Sequence, residues 1–282
     1  MLCIAVYLVT CLSSNNVASA TEAASSPEAV LERYIKRLYN EINFDKKHPL
    51  SFDIFNKAYK GYLNLKTSDK LSTEKDILTV CDLTQSSSSD RMWIIDLKTK
   101  KVLFNTYVAH GSGTGEEFAQ KFSNNFDSHQ SSVGFYVTGE TYMGEHGNSL
   151  RLNGMDFGFN HNALDRGIVV HGADYVSNKF IKGNERLGRS WGCPAVSTQL
   201  AQPIINTIKG GTCLFVYYPE KNYLKSGYWL NKKIEAVPQF VTEDMSMLLA
   251  SKGKGGKNKN RGPVKITYDK SMIPNFYMVL PM

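Results

Sequence analysis

The chain has 282 residues, 42% hydrophobic and 21% charged, an ordinary globular composition that excludes wholesale disorder and allows one sizeable core with appendages or two small domains. The formal net charge is +7, but between residues 251 and 270 Lys252, Lys254, Lys257, Lys259, Arg261, Lys265 and Lys270 face Asp269 alone, so the basic balance belongs to that stretch and not to the body of the fold. Such a stretch suits any polyanion, yet no aromatic residue interleaves residues 251–263, which argues against a nucleic-acid stacking platform.

The N-terminus, MLCIAVYLVTCLSSNNVASATEA, carries an apolar run from Leu2 to Leu12 and then the small-x-small pattern Ala18-Ser19-Ala20. Residues 1–20 therefore read as a signal peptide that lacks the usual basic start, and export to the cell envelope (periplasm or cell surface) is expected. A rival reading lipidates Cys11, although Thr10 fits that poorly. The run is too short for a membrane span, and no later stretch approaches that length. Cleavage after Ala20 leaves Cys81, Cys193 and Cys213, an odd number, so at least one thiol stays free.

Ser26-Pro27-Glu28 reads as a helix start, with Val30, Leu31, Tyr34, Ile35 and Leu38 at helical spacing behind it. A second helix is predicted from Ser51, with Phe52, Phe55, Ala58, Tyr59, Tyr62 and Leu63 on one side. Residues 21–74 form a helical leading element, read as packing without chemistry. From Ile77 the texture turns to strand: ILTVCDL, RMWIIDL, KVLFNTYVAHG, SVGFYVTGE, SLRLNG, GIVVHGA and CLFVYY, with a turn at Asp96–Lys100. TQLAQPIINTIKGG is a helix stopped by Gly210-Gly211. About seven short strands with few helices over residues 75–220 predict a mainly-β domain, a β-sandwich or partly closed barrel. Glycine clusters at 111–115 and 144–147 read as loops bordering a cleft. Residues 221–282 form a C-terminal extension with a Lys/Gly-rich linker, after which 264–282 serve as a final strand or a docking peptide.

Chemistry concentrates in VVHGADYVSNKFIKGNERLGRSWGCPAVS, residues 169–197. His171 sits at the exit of an apolar strand, and Cys193 lies between Gly192 and Pro194, in a shaped loop rather than a packed run. The N–H groups of Trp191, Gly192 and Cys193, with Gly172 beside the base, are candidates to stabilise an oxyanion. A thiol titrates at about 8.5, and a neighbouring imidazolium is expected to make thiolate the resting form. Cysteine and histidine then suffice for acyl transfer if a backbone carbonyl orients the ring. The competing reading is a buried thiol and a structural histidine. No cofactor is called for, and the spacings of His110, His129, His146 and His161 fit no zinc pattern, so no metal is expected.

HGADYVSNKFIKGNERLGRSWGCPAV resembles the motif of the L,D-transpeptidase catalytic domain, His-Gly and then, after a variable stretch, Ser-x-Gly-Cys. SSVGFYVTGETYMGEHGNSLRLNGMDFGFN is similar to one branch of that family. The resemblance implies a β-sandwich-like domain that remodels peptidoglycan. It would cleave a stem peptide between its third residue and D-alanine, then pass the acyl group to an amine on a second stem. On that likeness Cys193 is the nucleophile and His171 the base, while Ser190 and Gly192 match fixed positions, with Ser190 a candidate substrate contact. Trp191 stands where many members have histidine, and Pro194-Ala195 where an arginine or asparagine often follows. Arg189 and Arg186 are then candidates to hold a stem-peptide carboxylate. Tyr142, Met143 and the Gly144–Gly147 loop would close over the cleft, with Tyr142 touching substrate. The alternatives are hydrolysis at the same site, by an L,D-carboxypeptidase or an amidase, and a wall-binding module without catalysis.

Overall fold

The structure, a computed structural model, describes residues 26–45 and 49–245. The expected leader with Cys11, the Lys/Gly-rich stretch and residues 264–282 lie outside the described residues. Ser26 caps α1 (Pro27–Glu41), its hydroxyl accepting from the Ala29 N–H at 3.2 Å. Ser51 caps α2 (Phe52–Lys66) in the same way at Ile54, 3.3 Å. Each such cap stabilises a helix by about 1 kcal/mol. α1 buries a single stripe, Leu31, Tyr34, Ile35 and Leu38. α2 buries nearly its whole second half, from Ala58 to Leu65, apart from Lys60.

That wider burial follows from where α2 sits. It touches α1, the strands β1 (Ile77–Asp82) and β8 (Cys213–Tyr217), and a short C-terminal helix, Tyr228–Asn231. The other strands are β2 (Met92–Asp96), β3 (Lys101–Thr106), β4 (Gly134–Gly144), β5 (Gly147–Gly154), β6 (Val169–Ala173) and β7 (Ala195–Ser197). They form one eight-stranded sheet in the order β3-β2-β1-β8-β4-β5-β6-β7. β1 with β8 and β6 with β7 run parallel, and the remaining pairs are antiparallel. Beyond β3 the chain continues to Ala109, which bridges Ala195 on β7, so the two edges of the sheet are drawn together. The architecture is mainly β and partly closed, as expected. The strand that sequence reading passed over is β7, three residues long immediately after the cysteine loop.

One face of the sheet packs on α3 (Thr198–Ile208) through Ala201, Ile204, Ile205 and Ile208, which meet Tyr136, Leu152, Val170, Val196 and Leu214. α2 covers the opposite face, where Phe135 and Phe215 stack at 4.2 Å between centroids. Cover on both faces explains why β1 and β8 are buried at every residue instead of alternating. Cys81 and Cys213 lie inside this core as free thiols, and burial pushes the Cys81 thiol up to about 12. β4 and β5 pair with a register shift between Thr138 and Thr141; such a bulge bends the hairpin beyond it.

Within the C-terminal extension, residues Lys221–Ser226 and Tyr228–Asn231 are short helices. They are tied to the sheet by Asp156, which is fully buried. Its carboxylate accepts from the Phe135 N–H at 2.8 Å, the Tyr223 hydroxyl at 3.0 Å and the Trp229 N–H at 3.3 Å. Asn64 on α2 completes the tie by donating to the carbonyls of Trp229 and Lys232, both at 2.9 Å. Residues up to Val241 make one compact unit, and a second begins at Thr242, of which 242–245 are described and helical.

Gly61 is where α2 meets the sheet. A Cβ there would overlap the tip of the Phe135 ring, which Phe215 backs and cannot release. Gly61→Ala gains about 1 kcal/mol of helix propensity and loses up to about 3 kcal/mol to overpacking. The variant should be less stable by about 2 kcal/mol, seen as a lower urea midpoint at unchanged slope.

Candidate active site

The parallel pairing of β6 and β7 sets the site. His171 lies directly opposite Ala195, two residues after Cys193. On the neighbouring strand the Val169 N–H, two residues before His171, points at the Cys193 sulfur at 3.4 Å. The thiol in turn lies 3.7 Å from the Gly167 carbonyl. Strand register thus carries both side chains to one cleft of about 610 Å³, within the range of ligand pockets. Cys193 is half-buried, while His171 is 2% exposed although it borders the cleft.

Cysteine in this loop depends on the residues around it. Gly192 has φ +121°, and a Cβ there would come within 2.7 Å of the Gln130 carbonyl, so glycine is needed for both backbone angle and close approach. The Ser190 hydroxyl accepts from the Gly192 N–H at 3.1 Å and donates to the Cys193 carbonyl at 2.6 Å. Ser131 braces the loop from the other side, donating to the Gly192 carbonyl at 3.2 Å and accepting from the Gly111 N–H at 3.0 Å. Behind it, the Ser190 N–H donates to the His110 carbonyl. Fully buried Arg91 donates to His110 Nδ1 at 2.7 Å and to the Val108 carbonyl. Burial and the Arg91 charge hold the His110 imidazole down at about 4, so it is neutral, with Nε2–H directed at the Gly115 carbonyl.

These contacts bear on three expectations. Ser190 braces the cysteine loop through both hydroxyl bonds and also borders the cleft. The Gly192 N–H is consumed by that brace and is not free to bind an oxyanion; the N–H groups of Trp191 and Cys193 have no protein partner among the described residues. Gly172 packs under α3, where a Cβ would sit 2.9 Å from that of Ala201. Its contribution is its carbonyl, 2.9 Å from His171 Nδ1. This is the backbone carbonyl that cysteine–histidine chemistry without a carboxylate requires. It fixes Nδ1 as the protonated nitrogen and leaves Nε2 as the basic one.

The expected resting thiolate is also revised. Burial raises the Cys193 thiol above its ordinary value, opposed by the Val169 N–H and by the positive charge of Arg166. Burial lowers His171, opposed by the Gly172 carbonyl and reinforced by His146. Both net shifts favour the uncharged pair of thiol and imidazole over a thiolate–imidazolium pair.

Arg189 and Arg186 were candidates for holding a carboxylate. Glu116 takes both, at 2.7 and 3.0 Å, and Arg189 also donates to the Ser112 and Gly115 carbonyls. Arg189 borders the cleft and shares the single Glu116 carboxylate with Arg186, which does not line it. The cation that does serve the cleft is Arg166, which sequence reading passed over. Its guanidinium donates to the Ser123 and Gln130 carbonyls and to the hydroxyls of Ser132 and Ser128, all uncharged. Among the described residues no carboxylate pairs with it, so its charge acts on Cys193 unopposed. Tyr175 also lines the cleft and was not foreseen. Tyr142 does line it, with its ring against the Arg151 guanidinium at 4.4 Å. Trp191 is 75% exposed at the rim, stacked on His129 with centroids 5.0 Å apart. No group of three metal-ligating side chains comes together among the described residues.

Two outcomes follow from these charges. Removing the Arg166 cation should raise the Cys193 thiol further, so Arg166→Gln should slow alkylation of Cys193 by iodoacetamide at pH 8 by about threefold to tenfold. Peptide mass spectrometry at Cys193 reads this site by site, and Arg166→Lys should recover part of the rate. The second outcome concerns stability. His110 titrates near 6.5 when unfolded and at about 4 when folded. Between those values the unfolded chain binds more protons, so stability falls as pH drops from about 6.5 to about 4, and His171 adds in the same direction. The thermal midpoint should decline over that window, less steeply in His110→Gln.

Comparison with known proteins bears on the same residues. A family model of the L,D-transpeptidase catalytic domain matches residues 46–217, which contain the whole of the cleft. A search of curated proteins gives no match. Among solved structures, an L,D-transpeptidase from Mycobacterium smegmatis is 14% identical, over 51% of this chain and 59% of that one, with a TM-score of 0.32. One from Mycobacterium tuberculosis H37Rv is 15% identical, over 51% and 58%, at 0.31. One from Stackebrandtia nassauensis is 14% identical, over 67% and 89%, at 0.32. The chain thus spans under two thirds of the length of the two mycobacterial proteins. The family match covers more than half of the chain and carries both halves of the His-Gly and Ser-x-Gly-Cys pattern: the chain belongs to the L,D-transpeptidase catalytic-domain family.

Proposed function

We propose that the protein is an exported L,D-transpeptidase that forms a thioester between Cys193 and a peptidoglycan stem peptide and hands the acyl group to an amine. The observation that carries this reading is the meeting of a half-buried thiol and a carbonyl-oriented imidazole in one cleft, placed there by the register of β6 and β7. His171 takes the thiol proton at Nε2 as sulfur attacks the carbonyl that precedes D-alanine. Arg166 favours the thiolate during transfer, and the Trp191 and Cys193 N–H groups face the developing oxyanion. His171 then gives its proton to the departing D-alanine nitrogen, which leaves the thioester. In the second half His171 removes a proton from the acceptor amine, and the cysteine returns as the thiol.

Export rests on reading residues 1–20 as a leader. No helix among the described residues is long and apolar enough to cross a membrane. The polar and apolar mixture at the cleft suits a peptide with carboxylate groups, which Arg166 would attract.

The test is mass spectrometry of crosslinked muropeptides after incubation with the wild type, Cys193→Ala and His171→Ala. The wild type should produce crosslinked dimers with loss of D-alanine. Cys193→Ala should form no acyl-enzyme, and His171→Ala should be slower by about 10²–10⁴-fold. Products shortened by D-alanine without crosslinks would replace transfer by hydrolysis, and an acyl-enzyme in Cys193→Ala would remove the nucleophile assignment.

A further inference from the structure

The hairpin of β4 and β5 turns through Glu145 and His146, between the paired Gly144 and Gly147. Leu150 on β5 lies opposite Val170 on β6, so the start of β5 and the turn before it fall at the level of His171. There the His146 ring stacks on the His171 ring with centroids 4.2 Å apart and planes 18° from parallel. The stack covers the face of a base that is 2% exposed while bordering a cleft of about 610 Å³.

His171 has no carboxylate to orient it. Its hydrogen bond to the Gly172 carbonyl fixes one edge of the ring but leaves the ring plane free to tilt. A second imidazole lying flat against it removes that freedom. We infer that His146 is a positioning residue for the base: it fixes the plane of the His171 ring and receives that ring face to face once the thiol proton has moved onto it. This inference rests on the reading of His171 as the base of acyl transfer.

A neutral imidazole is a favourable neighbour for an imidazolium stacked on it, whereas two imidazolium rings repel. The stack therefore accommodates one proton and resists a second. Other titratable groups of the cleft are Glu145 beside His146, Arg166, Tyr175, Arg189 and Cys193, with Tyr142 held by Arg151 of β5. α3, packed beneath Gly172, brings no charged side chain. Among the described residues lining the cleft, Glu145 supplies the carboxylate, and Arg189 shares Glu116 with Arg186.

The test compares wild type, His146→Ala and His146→Phe by the rate of iodoacetamide alkylation at Cys193 between pH 5.5 and 8.5, which needs no knowledge of the natural substrate. At pH 8 the alanine variant should be slower by about tenfold, because the base is no longer held. The phenylalanine variant, which keeps a flat ring, should stay within about threefold of wild type. Superimposable wild-type and His146→Ala profiles would overturn the inference, as would a phenylalanine variant as slow as the alanine one. A muropeptide assay without turnover, alongside intact dependence on His146, would instead refute the reaction and leave the positioning role standing.

Discussion

Everything chemical in this protein depends on one short parallel pairing. β6 and β7 exchange few hydrogen bonds, and β7 has three residues, yet their register decides that a thiol and an imidazole share a wall. A slip of one residue would turn His171 into the core beneath α3 and aim Val170 at the cleft. The register is secured from outside the pair. Ala109 bridges Ala195, Gly172 lets α3 approach closely, and the Ser190 hydroxyl ties the loop that leads into β7.

Electrostatics in the cleft follow from the same economy of contact. Fixed thiolate and imidazolium would need strong nearby countercharges, and among the described residues Arg166 is the cation whose charge acts on the sulfur. An uncharged pair costs less to bury. In the proposed reaction the charges arise beside the Arg166 guanidinium, with which no carboxylate pairs among the described residues. Glu116 shapes this balance from a distance, since its single carboxylate offsets part of the positive charge of Arg186 and Arg189.

That Cys193 and His171 lie in one shaped region was legible in the sequence because its signature is local: glycine and proline around the thiol, and an apolar strand ending in His-Gly. The strands and capped helices were legible for the same reason, since Ser26, Ser51 and alternating or continuous apolar runs act over a few residues. Arg166 and His146 were not, because what makes them functional is a hairpin bent at a bulge and a loop drawn across Gly192. Nothing near them in the chain records those approaches. Arg189 misled for the complementary reason: its partner Glu116 lies 73 residues away in sequence. Helices as short as Tyr228–Asn231 show no periodicity to read, and they are held by Asp156 instead of by their own propensity.

The Asp156 knot also fixes how much polypeptide is needed to make this fold. The family match ends at residue 217, but the buried carboxylate finds Tyr223 and Trp229 beyond it, and Asn64 finds Lys232. A fragment trimmed at the family edge would strand an acid in apolar surroundings and bare one flank of α2. The autonomous folding unit is therefore longer at its C-terminal end than the stretch the family model matches, and it closes with a latch of about fifteen residues whose job is thermodynamic rather than chemical.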